Sequence, residues 1–169
     1  MKGLDDIIED FENAPVIGEA DIYAGKGAFV SDFNTAYTPR TFQQSDNKEK
    51  YFVIFDDNHN PVEFLIEQNR RHDLSAKIPV MQDTIRSLLL HDPRWVYANY
   101  KNNISKINDN LYRVEVERQK GMGPIPDIGK FVEFYVSDDE VLTKLRLVTF
   151  TERKGKFDEL ACHEVAFKY

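Results

Sequence analysis

The sequence predicts an α+β fold: an N-terminal helix, a hairpin, a second helix, and then a four- to five-stranded antiparallel meander. Three observations predict it. Apolar residues recur at helical spacing near the N-terminus and again after Pro79. After Pro93, short β-prone runs alternate with turn-forming clusters. Composition completes the case, because 169 residues at 41% hydrophobic and 12% aromatic can bury one sizeable core.

The first helix rests on Leu4, Ile7, Ile8 and Phe11, which fall at i, i+3, i+4 and i+7 and form one stripe; Asn13 and Pro15 close it. So short a helix is marginal alone, so the stripe has to be buried. Residues 15–50 show no sustained helical period, and Pro15, Gly18, Gly25, Gly27 and Pro39 interrupt them. They read as irregular coil within a single domain spanning 1–169, with a short hairpin about Gly25-Lys26-Gly27, IYA before it and AFV after it. An unstructured run of that length is usually functional or mobile.

From Tyr51 the pattern sharpens. YFVIF, the turn DDNHNP and VEFLIE form a hairpin, with Pro61 placed where it owes no hydrogen bond to the ladder. The second helix starts at Pro79, carries Met81, Ile85, Leu88 and Leu89 on one face, and stops at His91-Asp92-Pro93. WVYANY then reads as a strand, since it is aromatic and β-prone. NISKI and LYRVEVER form a hairpin, with Tyr112, Val114 and Val116 facing in and Arg113, Glu115 and Glu117 facing out. KFVEFYV, VLTKLRLVTFTE and KFDELACHEVAF complete the meander. In element order alone, this resembles the cone-shaped α+β folds of the nuclear-transport-factor-like and cystatin-like kind, in which helices fill a bent sheet.

Charge is distributed unevenly. The formal net charge is −7, and residues 1–21 carry most of it: Asp5, Asp6, Glu9, Asp10, Glu12, Glu19 and Asp21 stand against Lys2 alone. Residues 68–120 lean basic. The acids are either a solvated helix face, favoured near a helix N-terminus, or a surface that docks on a basic region of this chain or of a partner. The acidic balance argues against nucleic acid. No apolar run reaches the roughly 18 residues of a membrane helix, no secretory signal pattern opens the chain, and Cys162 is the single cysteine. Together these point to a reducing cytoplasm.

The residues available for chemistry are few. His59 sits among turn formers whose spacing does not match a calcium loop. His72-Asp73 and His91-Asp92 are adjacent pairs, which seldom face each other. His163 shares a period-two face of the last strand with Glu159 at roughly 13 Å, too far apart for a dyad. These two are the catalytic candidates, and a ligand pocket lined by Trp95, Tyr112, Phe134 and His163 is the corresponding expectation. Serine-nucleophile and phosphate-loop motifs are missing, Cys162 and His163 point to opposite faces, and no motif implies a metal or a cofactor. The loop GMGPIPDIGK, residues 121–130, carries Met122, Ile125 and Ile128 between glycines and prolines. With Asp5, Asp6 and Glu9 it is the expected partner interface.

Three functions compete on this reading. The favoured one is a non-enzymatic protein-protein interaction or assembly module. The alternatives are a small-ligand binder or simple isomerase or hydratase with a cavity in the cone, and a structural subunit of a ring or filament.

Overall fold

The computed structural model describes residues 2–24, 28–45, 50–66, 70–73 and 79–169. Among them the chain forms α1 (Leu4–Asn13), β1 (Val16–Ala24), β2 (Ala28–Thr38), β3 (Thr41–Ser45), β4 (Lys50–Phe55), β5 (Pro61–Ile66), β6 (Arg70–Asp73), α2 (Pro79–Leu89), α3 (Pro93–Tyr100), β7 (Ser105–Asn108), β8 (Leu111–Gln119), β9 (Asp127–Val136), β10 (Leu142–Arg153) and β11 (Lys156–Lys168). All eleven strands belong to one sheet in the order β6-β5-β4-β3-β2-β1-β11-β10-β9-β8-β7, with every neighbouring pair antiparallel. The sheet is thus two meanders joined by the pairing of β1 with β11. No helix among the described residues is long and apolar enough to cross a membrane.

This overturns the α+β expectation of a four- to five-stranded meander packed by helices in a cone: the protein is mostly sheet, with three short α-helices among the described residues. Two misreadings account for the difference. Residues 15–50 are mostly strand, in β1, β2 and β3. Their core-facing positions include Gly18, Ala20, Thr35 and Gln44, all buried, so the apolar alternation that marks a strand is missing. At Gly18 a side chain is excluded: a Cβ there would meet Val165 Cγ1 at 2.5 Å and Tyr37 Cε2 at 3.1 Å. The second misreading is WVYANY, which is helical in α3. Pro93 begins the helix and Asp92 caps it, accepting from the Arg94 N–H, and this local chemistry outweighs the β preference of the aromatics. The turn Gly25-Lys26-Gly27 lies outside the described residues, although Ala24 pairs with Ala28 on either side of it.

Helix α1 buries the predicted stripe of Leu4, Ile7, Ile8 and Phe11. Phe11 meets Tyr37 and Phe167 edge-on, at centroid distances of 5.1 and 4.9 Å. The same continuous core holds Ile85 and Leu89 of α2, Val96 of α3, Val53 and Phe64 of β4 and β5, and Val114 and Val116 of β8. A flat sheet of eleven strands would span about 48 Å. For strands near both of its ends to reach one core, the sheet must curl around the helices.

A buried ion pair fixes the helices inside that curl. Asp92 and Arg94 are almost wholly buried, and the guanidinium donates from Nε to Asp92 Oδ1 at 3.1 Å and from Nη2 to Oδ2 at 2.9 Å. Its remaining donors reach the carbonyls of Thr38 at 2.7 Å and Thr41 at 3.2 Å, on either side of the β2–β3 turn. Tyr37 and Phe55 lie under the guanidinium face, and the Tyr37 hydroxyl donates to the His91 carbonyl at 2.9 Å. Breaking one half of such a pair strands a buried charge. Arg94→Met should therefore cost about 3–5 kcal/mol in urea denaturation, and Asp92→Asn combined with it should recover part of that loss, since the asparagine still caps α3 without a lone charge.

Candidate functional site

The end of the sheet where β8 joins β9 and β10 joins β11 has a surface unlike the rest. The loop between Gln119 and Asp127 is held by its own bonds: Gly121 N–H donates to Asp127 Oδ1 at 2.9 Å and Ile125 N–H to the Met122 carbonyl at 3.1 Å. A Cβ on Gly121 would fall 2.0 Å from the Ile125 carbonyl, so the loop closes only with glycine there. The Gly121 N–H and the Arg118 guanidinium hold the Asp127 carboxyl below the usual carboxylate range. The apolar side chains of this ordered loop point outward: Met122 is 80% exposed and Ile125 65%. Ile128 is also exposed, as are Phe157 and Leu160 on β11 at the same end. Lys120, Arg153, Lys154 and Lys156, all exposed, adjoin the two turns at this end, as does the exposed Asp158.

On the outer face, away from the helices, Phe131, Phe150 and Phe157 form a row across β9, β10 and β11 with centroid spacings of 5.5 and 5.3 Å. They floor a groove of about 540 Å³ edged by Arg113, Glu115 and Glu159. Arg113 lies over Phe131 and Arg118 over Phe150. Carboxylates hold both arginines in place. Arg118 reaches Glu115, Asp127 and Glu152, while Glu133, only 2% exposed, accepts from Arg113 at 2.8 Å, Arg146 at 2.9 Å and the Tyr135 hydroxyl at 3.3 Å.

On the inner face, His163 of β11 meets His91 at the end of α2, with His163 Nδ1 2.9 Å from His91 Nε2. His91 Nδ1 lies 3.1 Å from the Ser87 carbonyl and 3.2 Å from that of Leu88. Carbonyls only accept, so this nitrogen carries the proton; His91 Nε2 is therefore the acceptor and His163 Nδ1 the donor. Burial pushes His91 down to about 4, opposed by the two carbonyls. Burial, the facing imidazole and the charge of Lys130 push His163 down to about 3.

The sequence candidates are scattered by this geometry. The ladder between β10 and β11 shifts register between Thr149 and Phe150, so Ala161 pairs with Thr149 but Glu159 with Phe150. That bulge turns Glu159 to the outer face, where it meets Arg146, and leaves His163 inside beside His91. Trp95 lines a cleft of about 360 Å³ with Ile85, Leu89 and Tyr100, and Tyr112 lines a separate polar depression with Lys2 and Glu140. Phe134 is fully buried, so these three residues and His163 do not meet around one space. His59 sits 3.0 Å from Glu12, in a turn tied by Asp56 to the N–H groups of Asn58 and Asn60. His72 lies on β6. Among the described residues no three His, Cys, Asp or Glu side chains converge as a metal centre requires. Asp5, Asp6 and Glu9 stand exposed on α1. Reading the sequence did not anticipate the His91–His163 contact or the phenylalanine row, since each joins residues whose meeting depends on strand register.

No protein-family model matches the chain, and no characterised protein is detectably similar to it in sequence.

The histidine pair sets the acid behaviour of the fold. Both imidazoles stay neutral in the folded protein down to their lowered values, whereas in the unfolded chain they protonate near 6.5. Stability is thus fully present above about pH 6.5 and is lost as pH falls towards 4 and 3, by up to about 1.4 kcal/mol per pH unit for each histidine. Denaturant unfolding measured from pH 8 to pH 4 should show this decline, and His163→Gln should flatten it.

Proposed function

We propose that this chain is a non-enzymatic protein-protein interaction module, and that its contact surface is the end of the sheet bearing Met122, Ile125, Ile128 and Phe157. The observation that carries this reading is the loop of residues 120–126, which is ordered by internal hydrogen bonds yet turns its apolar side chains to solvent. Apolar groups on a loop normally fold back beneath it. Holding them outward in a rigid loop leaves little ordering cost for a partner to overcome, and exposed Met and aromatic side chains suit an interface core. The outer-face phenylalanine row extends the apolar surface from the same end. The imidazoles, the natural acid-base groups, are engaged with each other and held neutral, which favours binding over catalysis. With Cys162 as the only cysteine, a reducing compartment such as the cytoplasm suits the reading.

Affinity capture from the source cells tests it. Tagged wild-type chain and Met122→Ser with Ile125→Ser should melt alike, because neither side chain is buried, and proteins retained by the wild type should be lost with the variant. Identical captured sets would overturn the reading.

A further inference from the structure

Building on that reading, we infer that the partner is a protein that meets the loop end with an acidic stretch leading into an apolar anchor, the acids against the two turns and the anchor in the phenylalanine groove. Strand register sets the layout. Asp127 pairs with Glu152 and Glu152 with Phe157, so these three share one level across β9, β10 and β11. Beyond that level lie the loop of residues 120–126 and the turn of residues 153–156. Together they carry Lys120, Arg153, Lys154 and Lys156 and no acid. All four are exposed, and among the described residues none of them makes a salt bridge. Met122 and Ile125 belong to the same loop as Lys120.

Behind this tip the sign of the charge reverses. Asp158, exposed, follows the turn. The rim of the groove sets Arg113 against Glu115 and Glu159. Arg118 is shared by Glu115, Asp127 and Glu152, and Arg146 by Glu133, Glu159 and Glu164, so carboxylates outnumber guanidiniums along the groove. A polyphosphate strand or an anionic bilayer has one sign throughout and would meet repulsion there. A polypeptide changes sign within a few residues, which favours a protein as the occupant of both parts.

The tip and the groove are continuous. Phe157 belongs to both: it is 54% exposed at the shared level, and its ring lies 5.3 Å from that of Phe150. Phe150 pairs with Gly129, where a Cβ would meet the Phe150 ring at 2.8 Å, so the glycine seats that ring on the strand. The row ends at Phe131, about 13 Å inward of the Asp127 level by strand rise. An extended segment that crosses the tip therefore spans the groove within about four further residues.

Photo-crosslinking of the full chain in its source cells tests the inference, with benzoylphenylalanine in place of Phe157, where tip and groove meet. The adduct should be a different protein, and its crosslinked segment should carry more acidic than basic residues beside a bulky apolar one. A basic or uncharged segment, a segment of this chain, a lipid or nucleic-acid adduct, or no adduct overturns the inference. Affinity capture supplies the second measurement. Retention by the wild type should weaken by about tenfold or more between about 0.05 and about 0.5 M salt, and Lys154→Glu with Lys156→Glu should lose the same proteins while melting like wild type, because neither lysine is paired. Proteins lost with Met122→Ser and Ile125→Ser but kept by the charge-reversed chain overturn the acidic partner and leave the loop end as an interface; proteins kept by both variants overturn the interaction reading itself.

Discussion

Asp92 and Arg94 sit where the helical layer meets the sheet, and the position of the helices follows from how that pair is satisfied. Removing two charges from water is costly, and their mutual attraction alone seldom repays it. Here the repayment comes from geometry. The carboxylate accepts from the guanidinium and from the first turn of α3, and the guanidinium spends its other donors on the carbonyls of Thr38 and Thr41. Helix start, ion pair and β2–β3 turn form one unit. With the Tyr37–His91 bond added, residues 91–94 have a single seat on the sheet, and α1 and α2 fill the space beside it.

The two faces of the sheet are held by different physics. Inside the curl, apolar side chains of the helices and strands form one continuous core, which also admits the Asp92–Arg94 ion pair and the His91–His163 pair. Outside, arginine-carboxylate networks cross β8, β9, β10 and β11. Guanidinium groups lying on Phe131 and Phe150 shield part of the aromatic surface from water. Five of the exposed large apolar side chains, Met122, Ile125, Ile128, Phe157 and Leu160, lie together at one end of these strands.

What was legible in the sequence was whatever local chemistry dictates. The stripe of α1, the start of α2 at Pro79, the β4–β5 hairpin and the strands after Ser105 are each written in periodicity or in turn residues. The strands of residues 16–45 were hidden because their inward positions include Gly18, Ala20, Thr35 and Gln44, which break the apolar alternation, Gly18 because Val165 and Tyr37 crowd its position. Helix α3 was hidden by its aromatic composition, which a capped proline start overrides. At the level of sites, the exposed loop could be read from glycines, prolines and misplaced apolar residues. The His91–His163 contact could not, because a single bulge in β11 decides which side chains share a face.

The pairing of β1 with β11 carries a consequence for how the chain is made. Ile17 lies opposite Lys168 and Ala24 opposite Ala161, so the ladder at the middle of the sheet joins residues far apart along the chain. The meanders on either side consist of neighbours and can form early, each with low contact order. The closing step is the seam between them, and it must wait until residues 156–168 have left the ribosome. Until then β1 presents an open edge and Phe11 lacks the Phe167 ring against which it packs. An open strand edge and an unpaired aromatic are what make a partly formed chain prone to aggregation, and closure of the seam covers both.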